Sequence, residues 1–149
     1  VIESFDTSLA RGQAGESLFH ARFPTLVKSP VRQQDFLTAS GKTVEVKSDS
    51  YDPARTPFFF LETISVVENN RVGGPFQSLG NGVDYFCYQF VRSGDIFIFR
   101  TSELCCRILE LLPKYSLTRV INNGYTTFGV RIERSKFNDL LLSEEVLHV

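Results

Sequence analysis

Gln34-Asp35-Phe36-Leu37-Thr38-Ala39-Ser40-Gly41-Lys42-Thr43-Val44-Glu45-Val46-Lys47 is the stretch around which the rest of the chain arranges itself. An apolar-rich run carrying Asp35 reaches a turn at Ser40-Gly41-Lys42, and a second run returns in strict alternation, so the pair reads as a β-hairpin. Successive strand side chains point to opposite faces. Val44 and Val46 are therefore directed toward a core, while Thr43, Glu45 and Lys47 share the other face. Asp35, Glu45 and Lys47 are thereby gathered on one rigid scaffold.

Hydrolysis of a phosphodiester needs such a set. Asp35 and Glu45 supply hard oxygen ligands for Mg²⁺ or Mn²⁺, and the strand carbonyl of Val46 is placed to add another. A metal there polarises phosphate and acidifies a bound water, and Lys47 orients that water or neutralises charge developing on phosphorus. The arrangement resembles the PD-(D/E)XK nuclease superfamily, the restriction-endonuclease-like fold, whose signature is an acid at the end of one strand and E-x-K on the next. Asp35, Glu45 and Lys47 stand at those positions. Gln34 stands where the superfamily's name has proline, a position that carries no chemistry. The plainer reading of E-x-K is a charged face that solubilises a half-buried strand. The upstream Asp, the shared face and a preceding Glu-bearing helix weigh toward the nuclease.

That helix is expected over residues 6–22, with Asp6, Thr7 or Ser8 as N-cap and Pro24 just beyond its end. Leu9, Glu16 and His20 fall on one stripe, and Ala14, Leu18 and Ala21 on the neighbouring apolar side. Glu16 matches the additional acid that a helix before the hairpin contributes in the nucleases the chain resembles; a solvent-facing glutamate is the alternative. His20 reads as a surface or supporting residue rather than a ligand.

A chain of 149 residues, 42% hydrophobic, is expected to form a single domain, 1–149, with a substantial core. The formal net charge of −1 is unusual for a protein that grips a polyanion. Either Lys28, Arg32, Arg55, Arg71, Arg92 and Lys114 build a local basic surface, or they are scattered solvated charges. Cys87, Cys105 and Cys106 read as small buried apolar residues in a reducing compartment. There is no membrane-length apolar run and no basic-then-apolar leader, so a cytoplasmic location, with no membrane partner, is expected.

Farther along, Phe58–Val67 is a β-prone run whose near-continuous apolar character predicts a central strand covered on both faces, interrupted by Glu62. Residues 68–82 read as a long glycine-bearing loop with Arg71 toward phosphate. Val83–Val91 suits a strand or a short helix. Asp95–Arg100 is a strand, and Thr101 or Ser102 caps a helix from Glu103 to about Leu112. A hairpin turns at Asn122-Asn123-Gly124, and a short helix from Ser135 covers an edge. The predicted class is α/β, a mixed central β-sheet flanked by helices. The resemblance spans about residues 10–100. It implies a Mg²⁺-dependent endonuclease acting on DNA, phage-like, with Asp35, Glu45, Val46 and Glu16 as metal ligands and Lys47 as catalytic lysine, and it is compatible with a homodimer. Cleavage of RNA from the same site and a catalytically silent interaction module are the alternatives. The roles of Glu62 and Asp84 stay open at this point.

Overall fold

The computed structural model describes residues 5–149, with side chains from Leu9 onward other than Ser65 and Val66. Helix α1 (Phe5–Arg22) leads through β1 (Val27–Lys28) to β2 (Phe36–Leu37), which turns back as β3 (Thr43–Asp49). Phe36 pairs with Val44 and Leu37 with Thr43, so the deciding hairpin forms in the expected register. Gly41 adopts φ +85 in its turn, a conformation glycine takes without steric cost. The Thr38 amide donates to the Lys42 carbonyl at 2.8 Å and closes it.

Beyond β3 come β4 (Phe58–Val66), β5 (Arg71–Val72), helix α2 (Gly74–Gly80), β6 (Tyr85–Phe90), β7 (Ile96–Arg100) and helix α3 (Thr101–Leu111). The hairpin β8 (Leu117–Ile121) and β9 (Thr126–Glu133) follows, then 3₁₀ segments at Arg134–Leu140 and Glu144–Leu147. Two sheets result. One is mixed, in the order β1-β2-β3-β6-β7, with β3 and β6 parallel; the other is antiparallel, in the order β5-β4-β9-β8. The class is mixed α and β as expected, but the strands are not gathered in one central sheet.

The reason lies in β4. Phe59 and Leu61 are buried while Phe58, Phe60 and Glu62 are only partly covered, so this strand has one core face rather than two. The strand covered on both faces is β6, every residue of which is buried. Its Phe86, Tyr88 and Phe90 pack with Phe59 and Leu61 of β4, Val130 and Ile132 of β9, and Leu104 and Ile108 of α3. Its Tyr85 and Cys87 pack on the opposite side with Phe19 from α1, Phe23 just beyond it, Phe36, Val44 and Leu147. Burying each such ring contributes about 1.5–3 kcal/mol, so β6 joins the two halves of the core.

Several local expectations change for tertiary reasons. Asp6, Thr7 and Ser8 lie inside α1 rather than in front of it. The buried side of α1 is Gly15 and Phe19, while Leu9, Ala14, Leu18 and Ala21 are exposed. The glycines that argued against a helix at residues 74–80 instead permit one: Gly74 sits at φ +55, where a Cβ would lie 2.7 Å from the Glu62 carbonyl oxygen, and Pro75 starts the helix. Arg100 is the N-cap of α3 and Thr101 is its buried first residue. The segment from Arg134 is 3₁₀ rather than α, anchored by buried Phe137. Cys87 and Cys105 are buried, but Cys106 is exposed. Among the described residues, no helix is long and apolar enough to cross a membrane.

Candidate active site

Asp35 stands one residue before β2. Its backbone amide donates to the Val44 carbonyl at 3.1 Å, and its carboxylate Oδ2 accepts from the Val46 amide at 2.8 Å. Because β2 pairs only with Thr43 and Val44, the Asp35 side chain takes the place on the edge of β3 that a longer strand would fill. The N–H and C=O of one strand residue project to the same edge. The Val46 carbonyl is thus on the edge that Asp35 occupies.

Glu16 reaches this edge from α1. Gly15 beside it lets the helix approach closely: its carbonyl accepts from Gln89 Nε2 at 3.0 Å, and the same Nε2 donates to Ser48 Oγ at 3.1 Å. Lys28 Nζ lies 3.4 Å from Glu16 Oε2. His20, one turn on, donates to the Leu26 carbonyl at 2.8 Å and is a supporting residue.

Electrostatics record how the acids meet. Burial pushes the Asp35 carboxyl up to about 7; the Val46 amide opposes that shift and the Glu16 carboxylate adds to it, close enough to share a hydrogen bond. Burial, followed by repulsion from Asp35 and then Glu16, pushes Glu45 up to about 8. The carboxyls of Asp35 and Glu45 therefore titrate together rather than independently. Glu45 Oε2 is buried with no hydrogen-bond partner. An orphaned carboxylate oxygen beside like charges is costly unless a cation joins it, and an all-oxygen set suits a hard divalent ion. Among the described residues no group of three or more His, Cys, Asp or Glu is arranged to hold a metal ion as it stands. Ligation requires these carboxyls to turn toward a common centre.

Lys47 follows Glu45 on the same face, and its Nζ is 3.8 Å from Glu62 Oε1. That face is not open to solvent, for β4 and α2 cover part of it. Glu45, Glu62, Pro75 and Ser78 line a hollow of about 160 Å³ on one side of Lys47. A larger cleft of about 570 Å³ opens on the other side, between α1 and the antiparallel sheet, lined by Arg11, Glu16, Phe60, Tyr125 and Arg131. Glu62 is held beside a β-bulge, where the register of β4 on β9 slips between Glu62 and Ile64. Bulges re-aim the side chains next to them.

Asp84 is structural. Its carboxylate accepts from the Thr43 amide at 2.9 Å and the Thr43 hydroxyl at 3.1 Å, tying the start of β3 to the start of β6. Asp49 is a cleft residue that the sequence reading passed over. It is buried, accepts from the Tyr51 amide at 2.8 Å and receives the Tyr88 hydroxyl, which in turn accepts from the Phe60 amide at 3.1 Å. Its place was readable, because it follows Glu45 and Lys47 at period two. Arg11 and Arg131 line the cleft, whereas Arg32, Arg55, Arg71, Arg92 and Lys114 do not. No protein-family model, curated protein or solved structure matches the chain.

Proposed function

We propose that this chain is a divalent-cation-dependent endonuclease that hydrolyses phosphodiester bonds of DNA. The observation that carries the reading is the approach of three carboxyls, from Glu16 on α1, Asp35 before β2 and Glu45 on β3, to one another at the edge of β3, with Lys47 following Glu45 on the same strand face. The order of elements is compatible with a restriction-endonuclease-like core: a helix, the acid-bearing hairpin, then, after an intervening helix, a strand parallel to the one that carries Glu45-x-Lys47.

Asp35, Glu45, Glu16 and the Val46 carbonyl would hold Mg²⁺ or Mn²⁺, which supplies a Lewis acid for the phosphate and a more acidic bound water. The chain's own groups do the rest. Lys47 presents positive charge at the mouth of the cleft, where the phosphate oxygens gather charge during attack. Glu62 holds the ammonium in that place. Asp35, anchored by the Val46 amide, fixes its carboxylate relative to the strand that carries Glu45.

Thermal-shift titration with Mn²⁺, paired with plasmid, branched-DNA and RNA cleavage assays, tests the reading. Mn²⁺ should raise the melting temperature of the wild type and should do so far less in Asp35→Ala and Glu45→Ala, which should not cut. Wild-type protein indifferent to Mn²⁺ and inert on every substrate would leave a silent interaction module.

A further inference from the structure

We infer that the cleft between α1 and the antiparallel sheet receives an unpaired nucleotide, so that the DNA this site acts on is single-stranded or locally opened; this rests on the nuclease reading above. The size of the space is the first argument. A cleft of about 570 Å³ is within the roughly 300–1,000 Å³ of sites that enclose a small ligand. That volume matches one nucleotide rather than a duplex, whose major groove alone is about 12 Å wide.

The wall of the cleft gives the second. Phe58 and Phe60 on β4, Thr127 and Arg131 on β9 and Val120 on β8 all line it, so one face of these three strands looks across the cleft toward Glu16 and Lys47. Phe60 is opposite Arg131 and leans diagonally over Gly129, where an added Cβ would meet the ring at 2.4 Å. The glycine leaves room for the phenyl ring to lie over the sheet as a partly exposed platform. The Arg131 guanidinium sits 5.3 Å from the Phe58 ring centroid. Aromatic faces with a neighbouring arginine are what unpaired bases stack on, largely regardless of sequence. Arg11 and Lys47 add positive charge along the opposite wall, where a strand backbone would pass. Glu16, Asp49 and Glu62 also line the cleft, but Lys28, Tyr88 and Lys47 respectively engage them.

Fluorescence anisotropy with a labelled oligothymidylate, in EDTA to prevent cutting, tests this. The wild type should bind the single strand at least tenfold more tightly than a blunt duplex of the same length. Phe60→Leu and Arg131→Ala should each weaken single-strand binding by roughly tenfold, the loss expected for one base stack, while Arg92→Ala, remote from the cleft, should not. Circular dichroism melts confirm folding, and Gly129→Ala, which displaces the platform without removing it, gives an independent variant that should also weaken binding. Equal affinity for duplex, or unchanged affinity in Phe60→Leu and Arg131→Ala, would overturn the inference. Preference for an oligouridylate over the DNA strand would overturn its assignment to DNA. Hydrolysis of bis(para-nitrophenyl) phosphate by wild type with Mn²⁺, measured separately, reports on the nuclease reading, since it requires the metal site and phosphodiester chemistry but no nucleic-acid strand.

Discussion

Lys47 Nζ and Glu62 Oε1 lie 3.8 Å apart, and they come from different sheets: Lys47 from the parallel pair at the centre of one, Glu62 from the bulged strand of the other. The pair lines both the hollow that holds Glu45 and the larger cleft, so the position of the proposed catalytic ammonium is set by a strand that the sequence reading placed in the same sheet. Lys47→Ala should reduce DNA cutting by about 100-fold or more while leaving Mn²⁺ binding nearly intact. Glu62→Gln should lower the cutting rate by about tenfold, with Mn²⁺ affinity unchanged and stability altered by no more than about 1 kcal/mol, because the pair is partly solvated. Loss of metal binding in Lys47→Ala, read by calorimetry, would show that the lysine serves the acids rather than the phosphate.

The acid cluster sets a dependence of stability on pH. Asp35 is raised from 3.8 to about 7 and Glu45 from 4.5 to about 8, so the folded state holds their protons more tightly than the unfolded chain does. Neither group penalises folding below about pH 4. The penalty grows as pH rises through the interval and is complete above about pH 8, on the order of a few kcal/mol in all. In EDTA the melting temperature should therefore fall between pH 5 and pH 8.5, roughly, and Glu45→Gln should flatten that fall. Mn²⁺ should stabilise most at the alkaline end, where the carboxylates are free of protons. A metal-free melting temperature that rises across this range would contradict the cluster.

Gly15 is where α1 touches the mixed sheet. An added Cβ would lie 2.1 Å from Ser48 Oγ and 2.6 Å from Ser48 Cβ. Alanine in place of a mid-helix glycine normally gains about 1 kcal/mol. Here Gly15→Ala should destabilise by about 1–3 kcal/mol, as overpacking does, and should displace Glu16 from the acid cluster. Urea denaturation checks the sign, and Ser48→Gly in the same chain should restore much of the loss.

Tyr88 hydroxyl links three strands, donating to Asp49 on β3 and accepting from the Phe60 amide on β4 at 3.1 Å. Tyr88→Phe leaves a buried carboxylate oxygen and a strand amide without this partner, which should cost about 1–3 kcal/mol. Amide hydrogen exchange should speed up at Phe60 before it does at Cys87, since the change loosens the junction between sheets rather than the centre of β6.

The hairpin at residues 34–47 was legible because its signals are local: a glycine-bearing turn, strict alternation, and an acid next to the first strand; that β3 runs on to Asp49 was not, since Ser48 and Asp49 read as the start of a polar loop. The C-terminal hairpin through Asn122-Asn123-Gly124 was legible for the same reason. The α1 stripe was misread because its buried side is defined by Gly15 and Phe19 packing on β3 and β6, and a residue without a side chain gives no apolar signal. Helix α2 was hidden by the glycines around it, of which Gly74 serves a close approach to Glu62. Arg131 had no local mark at all, since its relation to the acids exists only through the folding of β9 against β4.

By itself the sequence determined that Glu45 and Lys47 share a face and that Asp35 precedes the neighbouring strand, because side-chain direction along a strand alternates with a period of two whatever the strand packs on. Only the tertiary structure decided that Phe58–Val66 builds a second sheet, that Glu62 stands against Lys47, and that Glu16 and Lys47 line a cleft with an aromatic wall. Those relations join residues far apart in the chain. They depend on which faces are buried together, which no local pattern encodes.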